Sequence, residues 1–265
     1  MLKIMKGDCL EEMKKIDTGS VDMVLTDPPY GTTHNAWDVA IDSAELLSEL
    51  RRVVKPDGAI LIFNQLPFTC SLINAWPKGY RYSWVYEKGN AVGWLNAKKA
   101  PLRAYELISV FYAKAPTYHP QMTDGAPAYI HKTDSALTDN YSSFKIRNYV
   151  NDSGKRYPRD VLHWHTQERD LCSTQKPVDL LEYFIRTYTD KGQTVLDACM
   201  GSGSTAIAAY RTGREFIGIE KDADMMRTAH HRIDEEINRH EAELLKTLQP
   251  GMSLTQYLRA GDGDG

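Results

Sequence analysis

Two short strings in this chain carry residue types that can do chemistry. The first, LTDPPYG at 25–31, ends an apolar run on Asp27, Pro28, Pro29 and Tyr30. Neither proline has a backbone N–H and both fix φ, so a central strand has to stop there. Asp-Pro is also an ordinary turn opener, which is the competing reading. The whole string offers more than a turn: a carboxylate, a carbonyl held rigidly by proline geometry, and an aromatic ring. That set can grip a flat amino-bearing group, with two acceptors for an NH2 and one face for stacking.

The second string is VLDACMGSGSTAIAA at 195–209. An apolar run ends at Asp197, a Gly-Ser-Gly turn follows, and a helix of small residues begins. Gly201 and Gly203 let backbone approach a ligand at a helix N-terminus, with Ala206 at the third position of a dinucleotide-type pattern. Glu220 closes the next apolar run, 19 residues after Gly201, where doubly wound folds hold ribose hydroxyls. A lone Gly-x-Gly is a weak signal, but the added acid points to a nucleoside-type ligand.

The elements that must position these strings alternate between strand and helix periodicity, which predicts an α/β fold. Strands are expected at 2–5, 21–26, 59–63, 80–87, 105–113, 194–199 and 215–220. Helices are expected at 9–16, 42–54, 66–76, 177–189, 203–212 and 223–246. KPDG at 55–58 reads as a turn, 88–104 as a loop, and RAGDGDG at 259–265 as a frayed tail. Trp37 and Trp94 read as core residues rather than as stacking wedges. Between 114 and 173 the apolar periodicity fades and Tyr, His, Pro, Asn and Arg dominate, as in an inserted segment with a function of its own. Ligands of open α/β sheets sit outside the carboxyl ends of parallel strands, so both strings are expected on one rim.

Composition sets the limits. With 42% hydrophobic and 25% charged residues, the chain is an ordinary globular one. A net charge of −3 means that any nucleic-acid contact needs a local basic patch. Cys9, Cys70, Cys172 and Cys199 are scattered with no CxxC pair, so neither a metal site nor a disulfide framework is indicated. The N-terminus carries no signal-like apolar stretch, and the longest apolar run, AILIF at 59–63, is too short to span a membrane. The expectation is a cytoplasmic protein.

Taken together, these strings resemble the S-adenosylmethionine-dependent DNA amino-methyltransferases. KGDCLEEMKKID, LTDPPYG, VVKPDGAI, STQKPVDLLEYFI, VLDACMGSGST and FIGIEKD occur in the family's order over nearly the whole chain. The catalytic string comes first and the cofactor string late, which resembles the permuted beta group. GTTHNAWD, LNAKKAPLR and PTYHPQM look similar to a phage and prophage subgroup.

The resemblance implies a Rossmann-like class I methyltransferase fold, a central twisted, mostly parallel sheet flanked by helices. It implies a catalytic part at 1–113, a target-recognition insert at 114–173, a cofactor-binding part at 174–246 and a C-terminal tail at 247–265. It also implies site roles. Asp27 and the Pro28 carbonyl accept from the amino group of a flipped adenine, with Pro29 holding the turn and Tyr30 stacking on the base. Asp8, Thr174, Lys176, Asp197, Cys199, Gly201, Gly203 and Glu220 surround the cofactor. For Asp8 a helix cap is the alternative. Where the family carries Asp-Pro-Phe, this chain has Asp197-Ala198-Cys199.

Double-stranded DNA is the implied partner. Residues 145–176 hold seven basic and four acidic residues, a surplus of +3. Lys145, Arg147, Lys155, Arg156 and Arg159 are the DNA-contact candidates there. Lys98, Lys99 and Arg103 form a second basic loop. The resemblance admits a homodimer and a cognate restriction endonuclease, and no metal. Cytosine N4, RNA or protein glutamine as the methyl acceptor, and a catalytically inactive nucleotide-binding regulator, stay open alternatives.

Overall fold

The computed structural model describes residues 1–31, 40–125, 130–131, 149–150, 154–164 and 175–247. Trp37, Lys145, Arg147, Cys172, Thr174 and the 259–265 tail lie outside the described residues.

The first half of the chain builds β1 (Leu2–Lys6), α1 (Cys9–Met13), β2 (Val21–Thr26), α2 (Ser43–Val53), β3 (Val54–Asn64), α3 (Phe68–Ala75), β4 (Tyr80–Val92) and β5 (Arg103–Phe111). Four short strands follow: β6 (Thr123–Asp124) pairs with β9 (Lys155–Arg156), and β7 (Ile130–His131) with β8 (Tyr149–Val150). Then come β10 (Val161–Trp164), α4 (Val178–Tyr188), β11 (Thr194–Asp197), α5 (Ser204–Arg211), β12 (Glu215–Glu220) and α6 (Ala223–Thr247).

Eight strands form one sheet in the order β1-β12-β11-β2-β3-β5-β4-β10. The first five run parallel, β5 is antiparallel to both its neighbours, and β10 lies parallel to β4. This is the expected α/β fold with a mostly parallel sheet. Every residue of β2 is buried, as a central parallel strand covered on both faces requires.

Side-chain alternation splits the core in two. Met23, Leu25, Leu61 and Phe63 point to the layer containing Leu181 and Phe184 of α4 and Ile207 of α5. Val24, Ile60 and Ile62 point to the opposite layer, with Leu46, Leu47 and Leu50 of α2. The period of two in the strands and of 3.6 in the helices produces a three-layer sandwich.

Three expectations are corrected. KPDG is not a turn ahead of the strand but lies inside β3, where the register with β2 jumps from Val21↔Val54 to Met23↔Ala59. A Cβ on Gly58 would stand 2.5 Å from the Asp22 carbonyl oxygen, so this excursion needs glycine. The 88–104 loop is a long hairpin: β4 runs to Val92, a tight helical turn spans Trp94–Asn96, and β5 starts at Arg103. Trp94, at its tip, is 75% exposed rather than in the core. Period-two burial there stops once the strands pass the edge of the sheet and have no layer to cover them.

Candidate functional site

Asp27 directly follows the last residue of β2, and Asp197 is the last residue of β11. The two strands are hydrogen-bonded neighbours, with Val195 opposite Met23 and Leu196 opposite Val24. Their carboxyl ends therefore lie about 5 Å apart on one rim, at the spacing of adjacent strands. On one side of β11, the sheet order continues to β12 and β1, the last strands before Glu220 and Asp8. On the other side of β2 lie β3 and β5.

At Asp27 both carboxylate oxygens carry donors. The Tyr30 hydroxyl donates to Oδ1 and the Lys176 ammonium to Oδ2. Lys176 also lies 3.3 Å from Glu106 Oε2, and Glu106 in turn pairs with Lys88. The ammonium of Lys176 stands 5.1 Å over the Phe63 ring. Burial alone would depress the Lys176 pKa, but Asp27 and Glu106 outweigh it and hold the lysine above its ordinary value. Burial would likewise raise Glu106, and the two lysines hold it below the usual carboxylate range. The result is an alternating chain of charges, Lys88–Glu106–Lys176–Asp27, buried except at its ends.

Pro28 is buried, while Pro29 and Tyr30 are half-buried. The Tyr30 ring stacks on Phe68, the first residue of α3, with centroids 5.5 Å apart. A cavity of about 660 Å³ opens beside this pair, toward Asp42 and Ser43 at the start of α2. It does not reach Asp197 or Glu220.

The second half of the site is a cradle of backbone. Gly201 and Gly203 take φ of +50° and +82°, conformations that L side chains rarely adopt. A Cβ on Gly203 would also press to 3.0 Å from that of Ala229. The Gly201 N–H donates to Glu220 Oε2 at 2.9 Å, and the Asp222 N–H to Oε1 at 2.7 Å. Asp8 caps α1, accepting from the Leu10 N–H at 3.0 Å, while the Gly7 N–H donates to the Glu220 carbonyl at 3.0 Å. Asp8 and Glu220 thus lie at the carboxyl ends of the adjacent strands β1 and β12, and the Asp8 side chain caps α1.

Asp197 points inward. It is 4% exposed and accepts from the Thr205 hydroxyl at 2.6 Å and the Cys199 N–H at 3.1 Å. Burial raises its pKa to about 6, against the opposing pull of these hydrogen bonds. These two bonds tie the loop to α5. Cys199 packs against the core layer that holds Cys9; the neighbouring Cys9 thiol, burial and the nearby Asp197 and Glu220 push Cys199 well above the ordinary thiol value. Two cysteines that look scattered in the sequence are partners in space.

Sequence reasoning missed three residues. Glu106 and Lys88 sit on strands whose alternation signals only packing. Arg232 of α6 is buried and donates through one guanidinium nitrogen to the Ser202 carbonyl at 2.6 Å, the Ser202 hydroxyl at 2.9 Å and the Ser204 hydroxyl at 3.1 Å. It reads in the sequence as one more charge on a polar helix. The one signal available was its helical spacing from the core residues Ala229 and Ile233.

The basic candidates are spread out. Lys98, Lys99 and Arg103 are exposed, and Arg103 donates to Gln65 Oε1 at 3.0 Å. Lys155 pairs with Asp124 at 2.5 Å, Arg156 donates to the Lys155 carbonyl at 3.2 Å, and Arg159 is exposed. Among the described residues, no helix is long and apolar enough to cross a membrane.

Comparison with known proteins adds the following. The N6/N4 DNA methylase family matches residues 21–231. A DNA adenine methyltransferase, YhdJ of Escherichia coli K12, is 31% identical over 265 aligned residues, covering 92% of this chain and 86% of the relative. Among solved structures, the PvuII cytosine-N4-specific DNA methyltransferase superposes with a TM-score of 0.63 at 15% identity, covering 95% of this chain and 88% of that one. The M1.HpyAVI–SAM complex superposes with a TM-score of 0.57 at 20% identity, covering 88% and 98%. At such identities the superpositions speak to the fold.

Proposed function

Because this chain belongs to the N6/N4 DNA methylase family, we propose that it transfers a methyl group from S-adenosylmethionine to the N6 amino group of an adenine extruded from double-stranded DNA. The observation that carries this reading is the adjacency of β2 and β11. It sets an amino-gripping Asp27-Pro-Pro-Tyr30 turn beside a glycine cradle closed by Glu220. S-adenosylmethionine is the compound bound in the M1.HpyAVI complex.

The residues present fit this donor. A Cβ added at Gly201 would meet only the Met225 methyl at 3.7 Å, so the loop backbone is open to close approach. Glu220 and Asp8 keep unused lone pairs for ribose hydroxyls and the purine edge. From the motif they share in the sequence, Thr174 and Lys176 are assigned to the cofactor side of the site. When bound, the donor supplies an electrophilic methyl on a sulfonium sulfur.

The chain does the rest by positioning. The exocyclic nitrogen is a poor nucleophile because its lone pair is delocalised into the ring. Asp27 and the Pro28 carbonyl accept its two hydrogens, favour a pyramidal nitrogen and turn the lone pair toward the methyl. In the transfer the nitrogen would form its bond to the methyl carbon as the C–S bond breaks, S-adenosylhomocysteine would leave, and the proton released from nitrogen would pass to solvent water. With donors on both its oxygens, Asp27 is built as an acceptor that stabilises developing positive charge. Holding both reactants on one rigid rim supplies much of the acceleration. Tyr30, braced by Phe68, is the ring assigned to stack on the extruded base.

Asp27 in place of serine, and the adenine-specific name of the YhdJ relative, favour adenine. The motif order supports the permuted beta group, and the local strings support a phage-like subgroup. We assign 114–173 to target recognition, using Lys145, Arg147, Lys155, Arg156 and Arg159, with Lys98, Lys99 and Arg103 on phosphates. The division into 1–113, 114–173, 174–246 and 247–265 follows from this assignment. The M1.MboII relative of Moraxella bovis, named a type II methyltransferase, supports a place beside a restriction endonuclease.

Sequencing of modified bases in DNA from cells expressing the protein tests the reading. N6-methyladenine at a fixed motif is the expected result. N4-methylcytosine instead would move the acceptor, and unmodified DNA would overturn the proposal.

A further inference from the structure

The β4–β5 hairpin overhangs the rim that holds Asp27. β3 ends at Asn64, opposite Leu107 of the antiparallel β5. Residues 103–106 therefore extend past the carboxyl end of β3, by about 13 Å at the rise of a strand. β4 follows alongside, with Tyr86 opposite Glu106 and Val92 opposite Arg103. The base of the overhang touches the site directly, since Glu106 and Lys88 belong to the charge chain that ends on Asp27.

The tip has an unusual surface. Gly93, at φ +96°, turns the chain into Trp94–Asn96, and Trp94 and Leu95 are 75% and 79% exposed. The segment 88–104 holds four basic residues and no acid, in a chain whose net charge is −3. Lys98 and Lys99 are exposed and have no ion pair among the described residues. Adjacent exposed large apolar side chains mark a contact surface. The flanking cations select a polyanion for that contact. A two-fold contact with a second copy would bring these like charges toward their own images.

Resting on the DNA-methyltransferase reading above, we infer that Trp94, with Leu95 beside it, is a wedge. It enters the base stack where the target nucleotide leaves, while Lys98 and Lys99 hold the flanking phosphates. An enzyme that works on an extruded base must offset lost stacking, and an inserted apolar side chain does so. An overhang anchored by Glu106 delivers that side chain from the same rim that receives the base. No bond is made or broken by the wedge; it is a positioning residue.

The test uses full-length protein and duplexes carrying the motif mapped by modified-base sequencing. In one duplex the target base is paired; in the other it faces a mismatch, so extrusion is already easy. Single-turnover methyl transfer is measured for wild type, Trp94→Ala and Trp94→Phe. Trp94→Ala is expected to lose about tenfold or more on the paired duplex, the range of one stacking platform, and to come within about threefold of wild type on the mismatched one. Trp94→Phe is expected to restore much of the paired rate, and cofactor affinity by calorimetry is expected to be unchanged.

Equal loss on both duplexes, or no loss on the paired one, would overturn the wedge. Loss of a dimer in Trp94→Ala by sedimentation, with equal rate loss on both duplexes, would assign the tip to a second copy and also overturn it. A wild type that transfers methyl to neither duplex would instead overturn the functional reading on which the wedge rests.

Discussion

Lys176 and Asp27, 149 residues apart in the chain, meet as an ion pair at the carboxyl end of β2. The side chain of Lys176 is only 11% exposed, and Glu106 lies on its other side at 3.3 Å. The acceptor assigned to the target amino group is therefore preorganised by a buried cation. In the proposed reaction, an incoming amino group would share Asp27 with Lys176 and Tyr30 rather than meet a bare carboxylate.

Asp27→Asn keeps the shape of the turn and removes the charge. If Asp27 merely opened a turn, the variant would methylate almost normally. As a preorganised acceptor, its loss is expected to lower the single-turnover rate by roughly 10²-fold or more. Circular dichroism checks the fold and calorimetry checks that the cofactor still binds.

The proposed function gives Tyr30 two duties, which different substitutions separate. Tyr30→Ala removes the ring and is expected to weaken base capture by about 1–3 kcal/mol. Tyr30→Phe keeps the ring on Phe68 but frees Asp27 Oδ1, at about 0.5–1.5 kcal/mol for a lost hydrogen bond. DNA binding should therefore suffer in the alanine variant, and the methylation rate alone in the phenylalanine one. A Phe variant with wild-type rate would remove the hydroxyl from the mechanism.

Lys176→Met leaves Asp27 and Glu106 facing each other with one cation fewer. Breaking a buried pair by removing one partner costs about 3–5 kcal/mol, read by urea unfolding. Glu106→Gln should cost less, because Lys176 keeps Asp27. The pH dependence has a definite sign. The depressed Glu106 pKa gives stability that is present above its unfolded value near 4.3 and lost as pH falls below it toward the folded value. The raised Lys176 pKa gives stability present below about 10.4 and lost as pH rises through its higher folded value.

Asp197 acts on stability in the opposite sense to Glu106. Burial raises its pKa to about 6, so its contribution is full below its unfolded value and is lost as pH rises through 6. Wild-type stability should fall between roughly pH 4 and that value, and Asp197→Asn should flatten this limb. Urea midpoints measured across the range decide it; an unchanged limb in the variant would assign the slope elsewhere.

Arg232→Met removes the donor that holds the Ser202 carbonyl. Charge-assisted hydrogen bonds are worth about 1.5–3 kcal/mol, so the loop should loosen and S-adenosylmethionine affinity should drop about tenfold or more. Glu220→Ala should weaken the same binding by releasing the Gly201 and Asp222 amides as well as the ribose contact. Calorimetry in the presence of chelator measures both. Full affinity in both variants would detach the cradle from the cofactor.

Local pattern carried a large part of this protein. Strand and helix periods predicted the six helices and seven of the eight strands of the main sheet, because each element's burial repeats along its own residues; β10 was missed in the segment where apolar periodicity fades. Asp27-Pro-Pro-Tyr30 and the glycine turn were legible because their chemistry lies within a few consecutive residues. What joins distant residues was not legible. The pairing of β2 with β11, the contact of Cys9 with Cys199 and the chain from Lys88 to Asp27 depend on strand order, which periodicity does not encode. Glu106 reads as an ordinary alternating strand residue, and Lys88 as the first residue of a loop, until β4 extends to Val92 and the antiparallel β5 brings both past β3 to Asp27. Trp94 looked like core because an indole is apolar. Only the overhang of its hairpin beyond the covering layers leaves it in solvent, since burial is set by what packs against a residue and not by the residue itself.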